Sequence, residues 1–218
     1  MKAFYIFVKD WKSEMRTRYA FNSQILFILI TITIVSISVS TDISNAMTCG
    51  LYWLVIFFAA MSGLSRTFVT EEERGTILTL QLNASSTVIF SGKLLFNLFL
   101  LIISNIIITL SFALFLKLFI ISNFLIFLLT FILGSIGIAS TATIISAIIS
   151  KTNTRGSLFT ILSFPLVLPL IIVLIDLTNL LSENIQIHQV VNQLVILISY
   201  DVIVITASFL LFDFIWKD

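Results

Sequence analysis

EEERGTILTLQLNASSTVIFSGK, residues Glu71 to Lys93, lies between two long apolar runs. It opens with three carboxylates and an arginine, Glu71, Glu72, Glu73 and Arg74, followed by Gly75-Thr76. An apolar-spaced run comes next, Ile77, Leu78, Leu80 and Leu82, and the polar stretch Asn83 to Thr87 interrupts it. Val88, Ile89 and Phe90 then lead to Gly92-Lys93, where the following apolar run starts. A charged, partly amphipathic segment of this size cannot sit in hydrocarbon. Its place is the membrane surface, as one or two short helices open to a soluble partner.

The rest of the chain is membrane-like. Of 218 residues, 59% are hydrophobic and 11% charged, and mean hydropathy is +1.14. A soluble domain carries about a quarter charged residues, so the expected class is an all-α integral membrane protein. A net charge of +1 gives no reason to expect a nucleic-acid partner. The one cysteine, Cys49, sits beside an apolar run, which leaves no disulfide framework and no metal-ligand spacing. The basic head is long, contains acids and is followed by no A-x-A site, so the first apolar run reads as a retained anchor.

A span needs about 20 apolar residues. Six are expected, at about 22–40, 46–65, 94–116, 124–149, 156–176 and 190–212, in one permease domain covering 1–218. Ser122-Asn123 supplies the turn before the fourth. In residues 2–18, Phe4, Phe7, Val8, Trp11 and Met15 recur at helical spacing, with Lys2, Lys9, Lys12 and Arg16 mostly opposite. That pattern suits a helix lying in the membrane interface. With the N-terminus inside, every Lys and Arg except Lys117 is cytoplasmic. The positive-inside bias therefore puts 66–93, Lys151 to Arg155 and both termini in the cytoplasm. The outer loops are short, the longest being about Thr178 to Gln189 with Glu183 and His188.

Catalytic signatures are missing. There is no phosphate-cradling Gly-rich loop, no Gly-x-Ser-x-Gly, no His-Glu-x-x-His and no Cys-x-x-Cys. His188 is either a polar interfacial residue or a single axial ligand or proton-sensitive group. Asp201 falls near the middle of span six beside Tyr200. It reads as a proton- or substrate-path residue, as a structural hydrogen bond to Tyr200 or to a Ser or Thr on another span, or as a sign that span six is misplaced. Asp176 is expected at the interface. Ser135, Ala139, Thr143 and Ala147 recur every four residues, a small-residue strip for close packing on another span or a second subunit, with pore lining less favoured. Pro165 and Pro169, one turn apart, should kink span five, as a static feature more readily than as a hinge.

Taken together, these stretches resemble a known family. Glu71-Glu72-Glu73-Arg74-Gly75-Thr76, the leucines 78, 80 and 82, and Gly92-Lys93 resemble the coupling region of type-2 ABC export permeases. Residues 151–172, KTNTRGSLFTILSFPLVLPLII, resemble the basic loop and Leu-Pro-Leu-x-x-Pro-Leu stretch of CcmB, the haem exporter protein B family of cytochrome c maturation. Phe164-Pro165 stands where that family often has Leu-Pro, and Asp201 matches no motif of it. The resemblance implies a bacterial inner-membrane subunit, not an enzyme. Two copies would pair with two CcmA-like ATPase subunits, which bind ATP, and with CcmC- and CcmD-like membrane proteins. Haem would be exported, or released on a CcmE-like chaperone, and no haem ligands are carried over. Glu71, Glu72, Glu73, Arg74, Gly75, Thr76, Leu78 and Leu82 are the expected ATPase-coupling residues. The alternatives are a type-2 exporter of lipid, drug or polysaccharide and, more remotely, a proton-coupled carrier built on Asp201.

Overall fold

Apolar runs in lipid must satisfy their own backbone, and helices do so within one segment. The computed structural model describes residues 2–38, 43–115, 123–152, 155–182 and 187–217. These residues are almost wholly helical, and no strand occurs among them. The order is α1 (Lys2–Thr17), α2 (Tyr19–Ser38), α3 (Asn45–Leu64), α4 (Val69–Glu73), α5 (Ile77–Asn83), α6 (Ser86–Phe115), α7 (Phe124–Ser150), α8 (Arg155–Ser182) and α9 (Ile187–Lys217). Six helical stretches are long and apolar enough to cross a membrane: α2, α3 running on into α4, α6, α7, α8 and α9. Ser44 and Asn123 start α3 and α7 by accepting hydrogen bonds from free backbone N–H groups of the first turn.

The helix ends depart from the expected spans. α6 begins at Ser86 rather than at residue 94, and α9 runs to Lys217 rather than 212. At 30 and 31 residues each is about 45 Å long, against the roughly 30 Å of hydrocarbon. Each is longer than the hydrocarbon is thick, and Ile89 and Phe90 of α6 and Phe212 and Trp216 of α9 are buried against protein. α8 continues past Asp176 to Ser182, shortening the expected Thr178–Gln189 loop. Lys117, Ser122, Glu183 and the centre of the Lys151–Arg155 loop lie outside the described residues.

α7 sits at the middle and packs on α3, α6, α8 and α9. Ser135, Ala139, Thr143 and Ala147 are all buried inside this chain. Interhelical hydrogen bonds supplement their close packing. Asn97 Nδ2 donates to Thr143 Oγ1 at 2.8 Å and Asn105 Nδ2 to Ser135 Oγ at 2.9 Å. Trp53 Nε1 donates to Thr178 Oγ1 at 2.9 Å, and Tyr52 pairs with Thr109 at 2.8 Å. Such bonds replace the hydrophobic force that lipid removes. α8 stays helical through Pro165 and Pro169, both exposed, and the Tyr200 hydroxyl donates to the Leu166 carbonyl between them at 2.6 Å.

α1 does not lie free on the surface. Ile6 rests on Gly92, where a Cβ would come within 2.6 Å of it, so only glycine allows this approach. Phe7 and Trp11 pack edge-on against Phe99 at 5.7 and 5.1 Å. Phe4, Tyr5 and Met15 remain exposed. Arg18, at a φ of 53°, makes the one-residue turn from α1 into α2.

Asn97→Leu should lower stability in an SDS unfolding titration by about 1 kcal/mol, since it removes the Thr143 bond and the acceptor of Thr67. Ser111→Ala, whose hydroxyl bonds only the Ile107 carbonyl of its own helix among the described residues, should leave the midpoint unchanged.

Candidate functional site

The 66–93 segment folds as two short helices at a sharp turn. Gly75 makes the turn at a φ of +64°, in the left-handed region that favours glycine. Nothing else would obstruct a side chain there. Thr76 closes the turn by donating its hydroxyl to the Glu71 carboxylate. On α5, Ile77 points inward and Leu80 packs on the core, while Leu78 and Leu82 are 71% and 87% exposed. One helical turn apart, these two leucines form an unpartnered apolar face. Glu73 and Arg74 are exposed beside it, and Glu72 is half-buried. Arg66 Nη2 pairs with Glu73 at 2.6 Å.

Glu71 belongs elsewhere. It is 7% exposed and turns inward to meet Lys93, which is 2% exposed. Lys93 Nζ lies 2.7 Å from Glu71 Oε1, 3.0 Å from Asp10 Oδ2 and 3.1 Å from the Thr67 carbonyl. Lys9 reaches the same Glu71 oxygen at 2.5 Å from the half-exposed side. Burial is the largest influence on the Glu71 carboxyl and would raise its pKa from 4.5. Lys93, Lys9 and Thr76 together outweigh it and bring the value down to about 2. The pairing thus contributes stability that is full above pH 4.5 and is lost as pH falls toward 2.

The other flank is held by aromatic rings. Phe68 and Phe90 meet Phe212 at 5.2 and 5.1 Å, and Trp216 lies 5.8 Å from Phe68. Gln81 Nε2 donates to the Trp216 carbonyl at 2.7 Å, and Ser86 donates to Asp213. The segment is therefore clamped between α1 on one side and the end of α9 on the other, with the Leu78–Leu82 face free.

The remaining candidates lie apart from this surface. Asp201 is 4% exposed on α9, and neither carboxylate oxygen has a hydrogen-bond partner among the described residues. It fits against Gly137 of α7, where a Cβ would come within 2.5 Å of Oδ1. Tyr200 bonds Leu166 instead of Asp201. His188 is exposed at the start of α9. Asp176, Asn179 and Gln193 line a cavity of about 300 Å³ at the end of the bundle away from α1. Sequence reasoning missed the cluster of Lys9, Asp10 and Lys93. Its signal was Asp10 four residues after the inward-facing Ile6, an acid on the packed side of an amphipathic helix.

No curated protein matches the chain. The family model described as CcmB protein matches residues 1–213 of the 218.

Lys93→Met removes the buried cation and leaves two buried carboxylates with only the half-exposed Lys9, and should destabilise the protein by about 3 kcal/mol. Lys9→Ala, at a half-exposed site, should cost less than about 1 kcal/mol. Thermal unfolding of the detergent-solubilised variants measures both.

Proposed function

The chain belongs to the CcmB family, the membrane component of a haem-exporting ABC system, and on that premise we propose that residues 66–93 dock a CcmA-like ATPase subunit. The observation that carries this reading is the exposed Leu78–Leu82 face on a segment fixed along both flanks. Two exposed leucines bordered by Glu72, Glu73 and Arg74 make an apolar anchor with a charged rim, the usual make-up of a protein-binding patch. The chain carries no phosphate-binding loop, so ATP hydrolysis belongs to the partner.

The mechanism follows from the clamps. Two copies of the chain sit on two ATPase subunits. Closure of the ATPase pair on ATP displaces α5. The charge cluster passes that displacement to α1 and α6, and the aromatic contacts pass it to α9. The Asn97–Thr143 and Asn105–Ser135 bonds carry it into α7 at the centre of the bundle. The lipid bilayer covers the exposed apolar faces of the spans. α1, the 66–93 segment and the end of α9 lie at one end of the bundle. With the positive-inside bias, this supports cytoplasmic termini in a bacterial inner membrane. CcmC- and CcmD-like proteins complete the complex. Haem is handled as cargo, exported or released with a CcmE-like chaperone, and no haem ligand is assigned to this chain.

Affinity purification of the solubilised protein with mass spectrometry of its companions tests the reading. An ATPase together with a CcmC-like protein is expected. Leu78→Asp combined with Leu82→Asp should lower the co-purified ATPase by about tenfold or more while membrane insertion is retained. An undiminished ATPase yield from that double variant would remove the proposed docking face.

A further inference from the structure

Lys9 and Asp10, Glu71, and Lys93 come from three elements, α1, α4 and α6. Two cations and two anions make the cluster neutral. The Lys93 ammonium donates to Glu71 on α4 and to the Thr67 carbonyl before α4, and forms an ion pair with Asp10 on α1 at 3.0 Å. A second tie runs from Arg74 Nη1, at the α4–α5 turn, to Ser13 Oγ of α1 at 2.9 Å. A third is the close seat of Ile6 on Gly92 of α6. A helix needed only for adhesion to lipid headgroups requires none of these ties. Nor is general stability their evident purpose, because a buried ion group is often no more stabilising than apolar side chains of the same volume. Its best-attested use is to fix register and orientation.

The α1–α2 junction is tied as well. The Phe21 N–H donates to the Glu14 carboxylate at 3.0 Å, and the Arg66 guanidinium lies over the Tyr19 ring at 4.9 Å. The turn at Arg18 is therefore a held joint between α1 and the first span.

We propose that α1 is a positioning element of the docking segment: Asp10, Lys93 and Glu71 make α1, α4–α5 and the start of α6 move as one body, which delivers displacement of α5 to the first span through the Arg18 turn. This deepens the proposed function and rests on the reading that an ATPase docks on α5.

The test uses the complex with its ATPase in lipid nanodiscs, in a Cys49→Ser background. Spin-label pairs are placed at Met15→Cys with Thr79→Cys, and at Thr79→Cys with Leu125→Cys, all exposed positions. Distances are read with and without ATP and vanadate. The 15–79 distance should not change with nucleotide, while the 79–125 distance shifts. Lys93→Met should make the 15–79 distance nucleotide-dependent. It should also lower c-type cytochrome formation by about tenfold per bound ATPase. Asp10→Asn serves the same purpose if Lys93→Met does not assemble, and Asp10→Glu, which keeps the charge, should restore the wild-type behaviour. A 15–79 distance that changes with nucleotide in the unaltered protein, or a 79–125 distance that does not, overturns this inference with docking intact. Failure to recover any ATPase overturns the docking reading and this inference with it.

Discussion

The ammonium of Lys93 stands near the start of α6, enclosed by protein, hydrogen-bonded to Glu71 and the Thr67 carbonyl and paired with Asp10. Removing a charge from water costs several kcal/mol, and the cost is met only if every donor finds a fixed partner. That requirement determines how three elements are arranged. α1 must bring Asp10 down onto α6, which in turn needs Gly92 to admit Ile6. α4 must turn Glu71 inward, which the bonds from Thr76 secure. Once these are in place α5 has one orientation, and Leu78 and Leu82 face outward. The aromatic contacts with α9 hold the same segment from the other side. The surface open to a partner is thus set by buried groups that the partner does not touch.

Across the membrane the same logic uses neutral groups. Asn97, Asn105 and Trp53 donate to hydroxyls of neighbouring helices, and the small residues of α7 let those helices approach. Most hydroxyls in the spans also bond a carbonyl one turn back in their own helix, as Thr143 does with Ala139 and Thr178 with Leu174. The result is a bundle joined at discrete points, suited to carrying a displacement from one end to the other. Asp201 stands outside this network. It faces Gly137, and neither of its carboxylate oxygens has a partner among the described residues.

Much of the fold was legible because the signal was compositional. Six apolar runs of span length, a basic amphipathic head and a charged interruption at 71–93 admit few arrangements in a bilayer. The helix ends were less legible, since α6 and α9 are longer than a span needs and residues such as Phe90 and Phe212 look equally suited to lipid or to each other. Within the site, Leu78 and Leu82 stood out by their spacing, whereas the turn at Gly75 came from the structure. The inward rotation of Glu71 did not. Three consecutive glutamates look alike in sequence, and only the long-range meeting with Lys93 and Asp10 separates the buried one from its neighbours. The four-residue spacing of Ser135, Ala139, Thr143 and Ala147 identified a packing face but left its occupant open. The structure places that face inside the chain.

A photo-crosslinking amino acid placed at 82 and, separately, at 71 in the membrane-embedded complex tests the account most directly. With the Leu82 side chain directed at the ATPase and the Glu71 side chain enclosed by α1 and α6, position 82 should capture the ATPase subunit. Position 71 should yield only crosslinks within the chain. Capture of the ATPase from position 71, or none from position 82, would contradict the account.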